Sequence, residues 1–245
     1  MTKGYFAHIP KTAGTSIKNA LPSECLIKFN REGILDTDAD YRTKKYIGPG
    51  GNKKHFPVNY KYFHSLISKE EFNKVFKFAF VRNPYDRAVS SFSFSKKLIR
   101  DYYTKCTNEN KEFVHDSKRH SAFKDVRHIG DLEELYDFEY FLKFIHNAFD
   151  DASFMADDAH YVPQIYFTHK VHNDFFIKTL DFIGRFENLE QDYLKVCEFL
   201  DVKPKELPHL KKGDRKHYRE YYTDKTKMIV TQLYKDDIIN FGYRF

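Results

Sequence analysis

The apolar run Tyr5-Phe6-Ala7 feeds directly into His8-Ile9-Pro10-Lys11-Thr12-Ala13-Gly14-Thr15-Ser16. A strand that passes through such a turn and then opens a helix is an anion-holding unit. Backbone N–H groups at the helix start, one glycine, hydroxyls and a lysine supply its donors. The pattern is not the common nucleotide loop, in which a lysine follows the second glycine in Gly-Lys-Ser/Thr. Here Lys11 stands ahead of Gly14, the only glycine of the segment, and no metal-holding aspartate stands beside it. The loop suits a phosphate-like group held without magnesium.

A second segment repeats the logic. Lys77-Phe78-Ala79-Phe80-Val81 has the composition of a buried strand. Arg82-Asn83-Pro84-Tyr85-Asp86-Arg87 follows it. Asn83 is a good helix N-cap and Pro84 suits the first helical position. A second strand therefore delivers an arginine to a second helix start. Arg82 offers a planar fork of donors to a phosphate, and Ser90 lies about two turns down the same helix.

At these two segments the chain resembles the membrane-type carbohydrate sulfotransferases, the broad family that includes heparan sulfate 2-O-sulfotransferase. Pro163-Gln164, the stretch Phe182 to Leu189, and the run from Tyr218-Arg219-Glu220-Tyr221-Tyr222 to Phe241-Gly242-Tyr243 are also similar, the last to the soluble bacterial branch. The resemblance implies a P-loop-like sulfotransferase core and the cosubstrate 3′-phosphoadenosine 5′-phosphosulfate. It assigns Lys11, Thr12, Gly14, Thr15 and Ser16 to the 5′-phosphosulfate, and Arg82 and Ser90 to the 3′-phosphate. It places a catalytic histidine at the start of the helix ahead of the second motif. His55 fits that order best and His64 is its rival; His64 also reads as a packed core histidine beside Phe63 and Leu66.

The 245 residues are read as one domain, 1–245, with a polar and helical excursion around 104–165. The net charge of +6 suits a polyanionic acceptor or an anionic cosubstrate, and no recognition motif points to nucleic acid. Cys25, Cys106 and Cys197 form an odd, unspaced set, read as reduced thiols. No run approaches the roughly 18 apolar residues of a membrane span. The anion loop begins within the first ten residues, leaving no room for a signal peptide or stalk, so the expectation is cytoplasmic residence.

Strands are expected at 4–9, 26–29 and 77–81, and short strands or one bent hairpin at Phe175-Phe176-Ile177 and Asp181-Phe182-Ile183. Helices are expected at 14–21, 57–67, 69–75, from Pro84 to Tyr103, from Leu132 to Phe149, from Leu189 to Leu200, and from Asp224 to Ile239. The alternation implies an α/β fold, a mainly parallel sheet flanked by helices.

Sulfuryl transfer to a carbohydrate hydroxyl needs in-line positioning, charge stabilisation on the bridging oxygen, and removal of the acceptor proton. Lys11 is the candidate for the bridging oxygen, and a neutral histidine suits the base. His160, near Pro163-Gln164, is read either as acceptor-site lining or as a surface residue. Arg87 is read as structural, paired with a neighbouring carboxylate. Lys211-Lys212-Gly213-Asp214-Arg215-Lys216 is read as a solvated loop or as one that closes over the nucleotide. Arg185 and Glu187 are read as packing residues of the sheet region. Three other functions compete: a P-loop small-molecule kinase, a non-catalytic nucleotide- or glycan-binding protein, and, third, a nucleic-acid binder.

Overall fold

The computed structural model describes residues 2–26, 69–111, 136–148, 160–172, 175–208 and 215–245. Strand β1 (Gly4–Ala7) leads into helix α1 (Gly14–Ala20), and α2 (Lys69–Lys74) precedes β2 (Phe76–Val81). The long α3 (Pro84–Asn108) follows, then α4 (Phe138–Ala148), the single turn α5 (Ile165–Thr168), β3 (His169–His172), β4 (Phe175–Lys178) and β5 (Phe182–Arg185). A 3-10 turn (Phe186–Asn188), α6 (Leu189–Leu200), a second 3-10 turn (Tyr218–Tyr221), α7 (Asp224–Leu233) and α8 (Lys235–Phe241) complete the described elements.

The main sheet has the order β1-β2-β5, and both pairings are parallel. Leu26 adds a parallel bridge to Gly4. β2 is central and buried almost throughout, as a parallel strand covered on both faces must be. Its alternate residues serve different layers. Phe78 and Phe80 join Ile17 of α1 and Val196 and Leu200 of α6 on one face. Ala79 and Val81 join Ile165 of α5 and Phe241 of α8 on the other. A third cluster packs α3, α4 and α7 through Val89, Phe92, Phe141, Leu142 and Val230. The architecture is thus a parallel sheet between helical layers, as the alternation of strands and helices requires. Among the described residues no helix is long and apolar enough to cross a membrane.

Of the two alternatives at 175–177 and 181–183, separate short strands hold: β4 pairs antiparallel with β3, while β5 joins β2. The reason is Asp181, whose N–H donates to Lys77 O while its carboxylate accepts from Lys77 N and the buried Lys77 ammonium, drawing β5 onto the main sheet. The last helix is two, broken at Tyr234, whose hydroxyl donates to Tyr161 O. α3 runs beyond Tyr103 to Asn108, so the excursion begins as a continuation of a helix. The expected helix at 57–67 and most of the expected strand at 26–29 lie outside the described residues.

Candidate active site

β1 and β2 end at the same edge of the sheet. After β1 the chain turns to Leu26, on the side of β1 away from β2, whereas the second neighbour of β2 is β5. The connections leave in opposite directions, which opens a crevice at the carboxyl ends of β1 and β2. Both sequence motifs sit there.

The loop after β1 is built from strained backbone. Lys11 (φ 69) and Ala13 (φ 64) are both left-handed, a conformation that costs of order 1–3 kcal/mol per non-glycine residue. Three contacts hold it. Thr12 is buried and its hydroxyl donates to Ile9 O at 2.9 Å. Arg87 Nε donates to Pro10 O at 3.1 Å. Arg82 Nη1 donates to Lys11 O at 3.1 Å. Successive carbonyls are thereby turned toward the protein. Because each peptide is planar and trans, the N–H groups of Lys11 and Thr12 point the opposite way. They lead into the first turn of α1, Gly14-Thr15-Ser16, which carries neither a side-chain cap nor an acidic residue. Gly14 is required sterically: a Cβ there would lie 1.9 Å from Cδ2 of His8, whose ring packs over the helix start.

At the end of β2, Asn83 caps α3 by accepting from Tyr85 N, with Pro84 at the first helical position, as the sequence implies. Glu187 accepts the Asn83 N–H at 2.6 Å. The Arg82 guanidinium is buried and pairs with Asp86 through Nε at 2.8 Å and Nη2 at 2.7 Å. It also lies over the Phe186 ring at 3.9 Å. Burial lowers its pKa from the ordinary arginine value, and the Asp86 carboxylate works against that shift. The second Asp86 oxygen accepts from Arg215 at 2.5 Å. Arg215 is therefore docked beside Arg82 and not free in solvent, while Lys211, Lys212, Gly213 and Asp214 of the basic run lie outside the described residues. Two guanidinium groups share one carboxylate.

Asp86, Ser90 and Phe94 recur every fourth residue on α3, so they share a face. Asp86 meets Arg82 at one end of this face, and at the other the Lys11 ammonium lies over the Phe94 ring at 4.0 Å. Half-buried Ser90 stands between them. The stripe turned next to it, Arg87-Ser91-Ser95, binds the segment at His160: Arg87 and Ser91 donate to His160 O, and Ser95 meets the Tyr161 hydroxyl. The His160 ring stacks on Phe94 at 5.1 Å, so Phe94 carries both this ring and the Lys11 ammonium, and His160 is half-buried and not on bare surface.

The structure thus brings together Lys11, Thr12, Gly14, Thr15, Ser16, Arg82 and Ser90 at one crevice. Thr15 is exposed and Ser16 half-buried, whereas the Thr12 hydroxyl is engaged within the loop. His55 and His64 lie outside the described residues. Arg87 is structural, as read, but fully buried: it donates to the carbonyls of Pro10 and His160, and the carboxylate it faces is Asp237 on α8. Arg185 donates to Phe241 O and Glu187 accepts from the Tyr243 hydroxyl, which ties the C-terminal residues to the sheet. Sequence reasoning gave no role to Gln164, Asp237 or Phe94. Asp237 carries a faint signal, since it occupies an apolar position in the stripe Val230, Tyr234, Phe241.

Comparison with curated proteins and with solved structures finds no match. A model of the sulfotransferase family matches residues 3–244, covering both anion motifs and every element described above. The chain belongs to the sulfotransferase family.

Proposed function

We propose that this sulfotransferase moves a sulfuryl group from 3′-phosphoadenosine 5′-phosphosulfate to a hydroxyl of a carbohydrate acceptor, acting as one domain in the cytoplasm. The observation that carries the nucleotide reading is the bond from Arg82 to Lys11 O, which joins two anion motifs 71 residues apart into one site. The buried thiols of Cys25, Cys106 and Cys197 agree with a reducing compartment.

In this reading the N–H groups of the Lys11–Ser16 turn hold the 5′-phosphate, and Arg82 with Ser90 holds the 3′-phosphate. The acceptor oxygen bonds to sulfur as the sulfur–oxygen bond to the 5′-phosphate breaks, and 3′-phosphoadenosine 5′-phosphate leaves. Lys11 stabilises the bridging oxygen as it gains charge. The acceptor proton passes to a histidine, His55 or, failing that, His64. The face carrying Phe94 and His160 supplies aromatic surface beside Lys11 for a sugar ring. A kinase reading is disfavoured, because Lys11 precedes Gly14 and the family match is to sulfotransferases.

A thermal-shift titration tests the proposal. A ligand selective for the folded state at a hundred times its Kd adds about 2.7 kcal/mol of stability. 3′-Phosphoadenosine 5′-phosphate should raise Tm clearly, and ATP, which lacks the 3′-phosphate, much less. Equal shifts from the two would overturn the assignment of Arg82 and Ser90.

A further inference from the structure

Gln164 is fully buried, and both ends of its side-chain amide are hydrogen-bonded. Its Oε1 accepts from Arg82 N at 2.8 Å and its Nε2 donates to Arg82 O at 2.8 Å. One side chain therefore holds both backbone groups of the residue that immediately follows β2. It does for Arg82 what a neighbouring strand would do, at the point where the sheet ladder has ended. Buried backbone groups need such partners, and a hydrophobic side chain at 164 would leave both without these.

Gln164 is itself anchored. Its N–H donates to Asp237 Oδ2 at 2.8 Å, its Nε2 reaches the same oxygen at 3.3 Å, and Ile165 N donates to Oδ1 at 2.7 Å. Asp237 is wholly buried and faces Arg87, which holds Pro10 O of the anion loop and His160 O. Asp237, Gln164 and Arg87 form a continuous polar brace behind the crevice. It joins α8, the segment before α5, the end of β2 and the loop after β1.

The geometry assigns Gln164, anchored by Asp237, as a positioning residue for Arg82, and through Arg82 as a determinant of selectivity for 3′-phosphorylated nucleotides. The inference rests on the reading of Arg82 as a 3′-phosphate ligand. The guanidinium tip is fixed by Asp86 and Lys11 O, and the Arg82 backbone by Gln164. A buried charge held at both ends keeps its donors within the narrow tolerance that bidentate phosphate recognition needs. Neither Gln164 nor Asp237 would touch the nucleotide.

The test compares two ligands by calorimetry, 3′-phosphoadenosine 5′-phosphate and adenosine 5′-monophosphate. Their affinity ratio isolates the 3′-phosphate and cancels any general loss of folded protein. Wild type should prefer the bisphosphate by about tenfold or more, as a charge-assisted contact gives. No preference in the wild type would overturn the Arg82 reading itself, and this inference with it. Given that preference, Gln164→Met keeps the volume and removes both bonds to Arg82. Its ratio should fall by about tenfold, with adenosine 5′-monophosphate binding held within about twofold. Should that variant fail to fold, Asp237→Asn, which loses the charge but keeps one acceptor, should lower the ratio by a smaller factor. A folded variant of either kind that is less stable yet keeps the wild-type ratio would show a purely structural brace and refute the inference.

Discussion

Gly14→Ala isolates the packing at the start of α1. The backbone at Gly14 has no positive φ, so alanine meets no conformational obstacle there. In an unobstructed helical position the change should stabilise by about 0.4–1 kcal/mol, through helix propensity and a less flexible unfolded chain. Here the new Cβ would stand 1.9 Å from Cδ2 and 2.0 Å from Nε2 of His8. Carbon atoms rest at about 3.5–4.0 Å. The imidazole would have to retreat by well over an ångström, yet it is stacked on Phe6 at 5.6 Å, and Phe6 on Phe78 at 5.0 Å. Overpacking of this kind costs about 1–3 kcal/mol, which outweighs the propensity gain. Gly14→Ala should therefore destabilise by about 1–2 kcal/mol. In a His8→Ala background the obstacle is gone, and the same change should be neutral or stabilising. Urea denaturation of the four proteins gives the coupling, expected at about 1–3 kcal/mol. A Gly14→Ala change that stabilises the wild type, or that costs the same with and without His8, would show that the His8 ring is no obstacle at the start of α1.

If Lys11 serves the bridging oxygen as proposed, Lys11→Ala should lower turnover by about a hundredfold or more while leaving the Kd for 3′-phosphoadenosine 5′-phosphate within a few-fold, because that oxygen gains charge only as the bond breaks. Unchanged turnover in the folded variant would remove Lys11 from the chemistry. Burial pushes Asp237 up to about 6, against the opposing pull of Arg87 and the N–H groups of Gln164 and Ile165. The folded chain then holds this proton more tightly than the unfolded chain, so its contribution to stability falls as pH rises from about 4 to 6 and is fully lost above that window. Asp237→Asn lacks this dependence. Relative to wild type it should gain about 2–3 kcal/mol between pH 4 and pH 7.5 in urea titrations, and a difference that does not move with pH would contradict the shift.

The strands and helices that flank the crevice were legible because their signals are local. Apolar runs at Tyr5–Ala7 and Phe78–Val81, a cap at Asn83 and a proline at its first turn declare themselves within a few residues. The partners of Arg82 were legible only in part. Asp86 lies four residues along the same helix, but Arg215, Gln164 and Lys11 O arrive from distant segments; each segment was marked in the sequence, yet nothing there shows that its partner is Arg82. Gln164 has no apolar period or charge partner in sequence to mark it. The break at Tyr234 was hidden for a related reason: the apolar stripe continues through it, and the bond from Tyr234 to Tyr161 is tertiary. β4 and β5 were recognisable as strands, but which sheet each joins depends on Lys77 and Asp181, more than a hundred residues apart.

A turn already locked at Lys11 and Ala13 by Thr12, Arg82 and Arg87 has little disorder left to lose in holding the proposed anion. Ordering a flexible loop of this size around a ligand would take roughly 1–2 kcal/mol per residue from the affinity. That entropy is lost at folding instead, together with the strain of two left-handed residues. Capture by this part of the site should accordingly be limited by encounter and desolvation, with no slow ordering step. Nucleotides that differ in their fit to the crevice should then differ mainly in residence time, arriving at similar rates and leaving at different ones.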